Sequence, residues 1–384
     1  MFESLISIST KSEKIRLLFV KIILLLFIVS SCKSTTALMR KDAQLADAKA
    51  TKETKYLYNR INALSKVGYA FGHQDATAYG MGWKNDGKLY KSDVNEVTGD
   101  HPAVHGFELG HLELGHTQNL DTVNFGLMKT LIRKAHQKGG IITISWHPNN
   151  PVSLKSSWDH TPAVYAILKG APLHQKYRAW LRKVADFMLD LKDASGNAIP
   201  VAFRPFHEMS GPWFWWGEGH CSSEEYKKLW QETFDILTND YEVHNLLYIY
   251  APDVVEDSAG YLKYYPGDNF VDMLGIDIYH KRSAEEFMTI LKKDLAILKK
   301  VATDKKMPYA LTESGLNMIP IPNWWTQVLD KEIGGTGIAW ALFWRNAWPN
   351  HYFAPFTGQG SSEDFVTFKN LPHVLFLKDI KKIR

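Results

Sequence analysis

Apolar runs with strand character recur along the chain at Tyr69–Phe71, Ala103–Glu108, Ile141–Trp146, Val201–Phe206, Leu246–Tyr250, Val271–Ile278, Tyr309–Thr312 and Gly337–Trp344. They are short, rich in β-branched and aromatic residues, and flanked by turn-forming residues, as strands are. Stretches of helical period separate them. Tyr177, Trp180, Leu181, Val184, Met188 and Leu191 fall on one helical face, and Tyr226, Leu229, Trp230, Phe234 and Leu237 on another. Ser222 with Glu225, and Ser283 with Glu286, have capping-box spacing, the second opening a helix that runs to about Val301. From Ala37 to Lys66 the chain is polar and helix-forming, which predicts a tether and a first helix ending near Gly68. Strands alternating eight times with helices, in one composition regime, predict an α/β fold with a single (β/α)8 TIM barrel. A doubly wound open sheet is the runner-up, but Phe71-Gly72-His73-Gln74-Asp75 does not supply its Gly-rich phosphate loop.

The N-terminus has another pattern. Lys11, Lys14, Arg16 and Lys21 precede an apolar stretch from Ile22 to Val29, then Ser30, Ser31 and Cys32. This reads as a signal peptide over 1–31, too short in its apolar part to span a bilayer. Val29-Ser30-Ser31-Cys32 resembles the lipobox of bacterial lipoproteins, which makes Cys32 the expected lipidation site. Residues 32–40 are then a tether and 41–384 the catalytic domain. Lys33-Ser34-Thr35-Thr36 carries no acidic run of the kind associated with surface export, so an outer-membrane lipoprotein facing the periplasm is expected, held to the membrane by its lipid anchor.

Composition narrows the classes. The 384 residues carry 45 Lys+Arg against 41 Asp+Glu, a formal charge of +4, and the first 31 contain four of the basic and two of the acidic residues. So small a charge argues against a nucleic-acid partner, and 45% apolar with 13% aromatic residues excludes a disordered chain. Cys32 and Cys221 make no disulfide framework. The 13 tryptophans stand out, several lying at strand ends and in adjoining loops: Trp146, Trp213, Trp215, Trp216, Trp344 and Trp348.

A parallel barrel carries its chemistry at the C-terminal ends of its strands. The apolar runs here end in Gly72-His73-Gln74-Asp75, Glu108, Trp146-His147-Pro148-Asn149, Arg204-Pro205-Phe206-His207-Glu208, Asp277 with Tyr279-His280, Glu313-Ser314 and Trp344-Arg345-Asn346. Taken singly, each polar residue is more often a cap, an ion-pair partner or a satisfied core group than a catalyst, and the joint pattern at one rim is what points to a site. Glu208 and Glu313 lie past the fourth and seventh strands, which face each other across an eight-membered ring. Paired carboxylates among aromatics suit glycoside hydrolysis, one protonating the leaving oxygen while the other attacks the anomeric carbon. Competing chemistries fit worse. His111-x-Glu113-x-x-His116 has the wrong histidine spacing for a zinc helix, no G-x-S-x-G elbow occurs, and Cys221 stands alone in a loop. No metal and no cofactor is expected.

Two blocks carry a family resemblance. Val201 to Met209 with Gly211 to Gly217, and Leu311-Thr312-Glu313-Ser314-Gly315, resemble glycoside hydrolase family 26, typified by β-mannanases. The similarity extends from about Tyr69 to the end through Gly72-His73-Gln74, Ser145 to Asn150, Gly275 to Tyr279 and Phe343 to Asn346. The resemblance implies a retaining hydrolase of β-mannan or manno-oligosaccharides, and a monomer is expected. Glu208 is then the acid/base and Glu313 the nucleophile, with His207 and Tyr279 hydrogen-bonding the Glu313 carboxylate. Trp213 is a sugar platform at the cleavage point, and His147, Asp277, Trp344 and Arg345 bind the sugars on the non-reducing side. His73, Glu108 and Tyr250 join the candidates from strand-end position alone. Another β-glycan as substrate, or a non-catalytic glycan-binding lipoprotein, remains an alternative. The choice between endo cleavage and mannobiose-releasing exo cleavage rests on the loops Tyr79 to Tyr90 and His101 to Leu120.

Overall fold

The structure is a computed structural model that describes residues 45–383. The expected signal peptide 1–31, Cys32, the tether 32–40 and the first residues of the expected catalytic domain lie outside the described residues. Eight parallel strands form the barrel: β1 (Tyr69–Gln74), β2 (Val104–Glu108), β3 (Ile141–Trp146), β4 (Val201–Pro205), β5 (Leu246–Tyr250), β6 (Met273–Tyr279), β7 (Tyr309–Gly315) and β8 (Trp340–Phe343). Each pairs with its successor, and β8 returns to β1 through the register Ala70↔Trp340 to His73↔Phe343, which closes the ring. The short strand Val374–Leu375 adds to the lower part of β1.

Alternation along the strands divides the interior into two layers. Ala70, Val104, Ile141, Ala202, Leu247, Ile249, Met273, Ala310, Trp340 and Leu342 form one buried cluster inside the ring. Leu57, Ile61 and Leu64 of α1 (Lys52–Leu64) belong to that same cluster, so the first helix closes the barrel floor. The intervening strand residues, such as Phe71, Phe107, Phe203, Tyr248 and Phe343, pack outward against the helices. Those helices include α2 (Phe125–Gln137), α3 (His174–Leu189), α4 (Ser223–Asp235) and α5 (Ala284–Lys305), which bury their apolar faces on the ring.

Two local expectations are refined. Both reciprocal bonds of the Ser222–Glu225 capping box form. At Ser283 only half does: its hydroxyl accepts the Glu286 N–H, while the Glu286 carboxylate turns to Arg282 at 3.1 Å. That helix also runs past Val301 to Lys305, ending at Lys306 in the left-handed region (φ 57°). Seven of the 13 tryptophans, including Trp215 and Trp216, are fully buried, so most of the tryptophan excess builds the core.

Candidate active site

Alternation along β4 turns Ala202 and Arg204 into the barrel and Val201 and Phe203 out. Pro205, without an N–H, ends the ladder, and the chain then passes through Phe206 (φ 47°) and Glu208 (φ 54°), both left-handed. Such non-glycine residues store strain that the surroundings must hold. Here the Glu208 N–H is tied to the Ala251 carbonyl at 2.8 Å, and the Trp213 indole N–H donates to Glu208 Oε2 at 2.6 Å. Burial, then the negative charges of Asp277, Glu313 and Asp253, push the Glu208 carboxyl well above its ordinary value.

Glu313 reaches the same space by a different device. Leu311 faces outward and Thr312 inward, so strict alternation would turn Glu313 out toward the helices. A bulge intervenes: Ile276 pairs with Leu311 but Asp277 pairs with Glu313, and the β8 register skips a residue at the same place. The extra residue brings Thr312 and Glu313 both to the mouth. The Tyr279 hydroxyl donates to Glu313 Oε2 at 2.8 Å, and the Arg204 guanidinium donates to Oε1.

Arg204 heads the strand-end group Arg204-Pro205-Phe206-His207-Glu208, but the sequence assigns it no role. It bridges Glu313 and Asp277, the latter at 2.7 Å, and Thr312 Oγ1 donates to Asp277 Oδ1 at 2.6 Å. Asp277 is fully buried beneath Arg204. It is therefore placed to position Arg204, and it does not reach a sugar as expected. His207 is corrected as well: its Nε2 lies 3.9 Å from Glu313, beyond hydrogen-bonding distance, because Arg204 takes that oxygen. Burial, followed by Arg204 and His147, drives the His207 imidazole well below its ordinary value, so it is neutral. His207, Asp277 and Glu313 are close enough to share a cation, and the Arg204 guanidinium bonded to both carboxylates is that cation.

Glu108 lies behind His147. It is fully buried and accepts the backbone N–H groups of Gly110 (2.6 Å) and His147 (2.7 Å), the Ser145 hydroxyl (2.5 Å) and His147 Nδ1 (2.8 Å). Burial alone would raise Glu108, but His147 and these donors leave it below its ordinary value. Burial would likewise lower His147, and the Glu108 charge holds it above. Glu108 thus sets the tautomer and charge of His147 and touches no ligand itself. Trp158, half exposed and unremarked in the sequence, stacks on His147 with ring centres 5.6 Å apart.

On the far side, Arg345 pairs with Asp121 at 2.9 Å and donates to the Tyr79 hydroxyl at 3.2 Å, while Tyr79 donates to Asp75 at 2.8 Å. Arg345 also lies over the Trp348 ring. A cavity of about 550 Å³ opens here, lined by Tyr79, Trp83, Asp121, Arg345 and Trp348. Trp344, partly exposed, meets His147 edge-on at 6.4 Å. Asp121 and Tyr79 come from loops, where no periodic signal marks them.

Two candidates leave the site. Tyr250 points outward with Tyr248 and donates its hydroxyl to the Tyr261 carbonyl, in the core. His73 is buried on the outward parity of Phe71, and burial lowers it to about 3, so it stays neutral. Glu113 of the His-x-Glu-x-x-His stretch is also structural, accepting the Trp146 indole N–H and the Asn149 N–H.

The chain has relatives among known proteins. The family model of glycosyl hydrolase family 26 matches residues 46–326. A mannan endo-1,4-β-mannosidase of Bifidobacterium adolescentis is 34% identical over 282 residues, 71% of this chain and 28% of that protein. A mannan endo-1,4-β-mannosidase A and B of Caldalkalibacillus mannanilyticus is 29% identical over 62% of this chain, which spans 47% of it. The chain therefore covers less than half the length of these two relatives. Among solved structures, a family 26 β-mannanase from Bacteroides ovatus superposes with a TM-score of 0.83 at 42% identity, covering 86% of this chain and 96% of that one. The family match spans most of the chain and includes both Glu208 and Glu313, and by it the protein belongs to glycoside hydrolase family 26.

Proposed function

We propose that the chain hydrolyses β-1,4-mannosidic bonds in mannan, galactomannan or glucomannan and their oligosaccharides, with retention of configuration. The unequal setting of two carboxyls carries the reading. Glu208, raised by burial and neighbouring charges, holds a proton for the glycosidic oxygen. Glu313, held by Arg204 and the Tyr279 hydroxyl, is set to attack the anomeric carbon. In the first step the C–O bond breaks, Glu208 gives its proton to the departing sugar, and a glycosyl ester forms on Glu313. In the second, Glu208 takes a proton from water, whose oxygen displaces Glu313. Trp213, bonded to Glu208, is the platform at the cleavage point, and His147, Trp344 and Arg345 hold the sugars on the non-reducing side. The mannanase names of the relatives support mannan as the substrate class. The reaction needs no metal.

Reducing-sugar release from mannan, glucomannan, xylan and barley glucan tests this, with Glu313→Ala as control. Turnover confined to the mannans and lost in the variant is expected. Preference for xylan or mixed-linkage glucan overturns the substrate, and an active variant overturns the nucleophile. The N-terminal reading joins the proposal: residues 1–31 are removed, Cys32 is lipidated, and a single barrel domain from about residue 41 acts as a monomer in the periplasm. Cys32→Ser should then release the protein from the membrane fraction; protease sensitivity on intact cells would argue for the surface instead.

A further inference from the structure

The cavity at Arg345 has two walls that come from distant parts of the chain. One is the hairpin in which Tyr79–Gly80 pairs antiparallel with Trp83–Lys84, and the other is the loop after β8 that carries Arg345 and Trp348. Asp93, the first residue of the short helix Asp93–Thr98, is bonded to both walls and is 2% exposed. Its Oδ1 accepts the Trp83 indole N–H at 2.6 Å, and its Oδ2 accepts the Met81 N–H and the Asn346 side-chain amide, each at 2.9 Å. Asn346, also buried, passes the hold on. Its amide nitrogen donates to the Ala354 carbonyl at 2.9 Å as well, and its carbonyl accepts the N–H groups of Phe353 (2.9 Å) and Ala354 (3.0 Å). Gly80 permits the close approach, because a Cβ there would collide with both Asp93 Oδ1 and the Trp83 indole nitrogen. One carboxylate therefore ties the hairpin to the β8 loop. Arg345 is held between them, next to Asn346 in the chain and bonded to Tyr79 of the hairpin. Burying a carboxylate costs stability unless its oxygens are hydrogen-bonded, so Asp93 and the two walls hold one another.

We propose that Asp93 is a positioning residue for the substrate: by joining the two walls it keeps the cavity and Arg345 in place for the second mannose on the non-reducing side of the scissile bond, without touching the sugar itself. The proposal rests on the hydrolase reading, in which Arg345 holds that side of the substrate. A pocket formed before its ligand arrives binds without an ordering cost. Displacing a group that aligns the substrate by about 1 Å can cost on the order of 100-fold in rate.

Two aryl substrates read the effect. 2,4-Dinitrophenyl β-mannoside has one sugar and stops short of the cavity, whereas 2,4-dinitrophenyl β-mannobioside has a second that reaches it, and the leaving group of neither needs an acid. In the wild type the second mannose should raise kcat/KM. In Asp93→Ala that gain should shrink about 10- to 100-fold, chiefly through KM for the mannobioside. On the mannoside kcat/KM should change less than threefold, which also reports that the variant is folded. Gly80→Ala, which pushes the hairpin off Asp93 and leaves the carboxylate in place, should shrink the same gain, and Asp93→Asn, which keeps one acceptor oxygen, should lose less than Asp93→Ala. Equal losses on both substrates, an undiminished gain in Asp93→Ala, or a wild type that gains nothing from the second mannose overturns the assignment while leaving the hydrolase reading intact. A wild type inert on both substrates and on mannan sinks that reading and this one with it.

Discussion

Glu108→Gln removes one fully buried charge with almost no change of shape, and its consequences can be worked from four bonds. The glutamine carbonyl keeps the backbone donors of Gly110 and His147. Its NH2 group meets Ser145 Oγ and His147 Nδ1, both of which must reverse roles, so the imidazole carries its proton on Nε2. Four bonds to a charged acceptor become bonds to a neutral amide, a loss of roughly 1 kcal/mol each, partly offset by the relieved burial of a charge. The net destabilisation is about 2 kcal/mol, and it depends on pH. Wild-type Glu108 lies below 4.5, so its contribution is present above that value and fades as pH falls through the folded-state value. His147 lies above 6.5, so its contribution is present below that value and fades as pH rises through the folded-state value. The stability gap between wild type and variant should therefore be widest between about pH 4.5 and 6.5 and narrow at pH 9. Urea unfolding at pH 3.5, 5.5 and 9 measures it. A gap under about 0.5 kcal/mol at pH 5.5, or one equally wide at pH 9, refutes the reasoning.

Other outcomes follow from the same geometry. With Glu208 raised and in the proposed role of acid, kcat/KM on mannan should form a bell whose basic limb, set by loss of the Glu208 proton, lies well above pH 4.5; a profile flat from pH 4 to 9 contradicts this. Glu208→Ala should lose mannan hydrolysis by 10³-fold or more yet still form the glycosyl-enzyme from a dinitrophenyl mannoside, with azide speeding turnover; equal loss on both substrates assigns the acid elsewhere. Tyr250→Phe should leave kcat/KM within twofold while costing about 1 kcal/mol for the lost bond to the Tyr261 carbonyl, and a large kinetic defect would return Tyr250 to the site.

The barrel was legible because its strands are short, strongly apolar and separated by well-patterned helices. The side to which each strand residue points was less so. In a parallel barrel both faces are buried, so Leu247 and Ile249 inside look like Tyr248 and Tyr250 outside, and hydrophobicity carries no parity. Tyr250 therefore looks like a mouth residue at the end of β5 and is a core residue in the fold. Glu313 shows the converse: only the bulge beside Thr312 turns it inward, and a register shift leaves no mark in the sequence of β7. Polar residues at strand ends told where the mouth is but not the depth. Glu108 and Asp277 proved to lie one layer beneath the surface they support, holding His147 and Arg204. Arg204 stands in the most specific motif, but the two carboxylates that share its buried guanidinium, Asp277 and Glu313, come together only in the fold.

The central claim is double displacement through Glu208 and Glu313. Proton NMR of mannohexaose during the first minutes of hydrolysis, before the anomers equilibrate, tests it most directly. The β-anomer should appear first at each newly formed reducing end, with no turnover by Glu313→Ala; initial release of the α-anomer would contradict the mechanism.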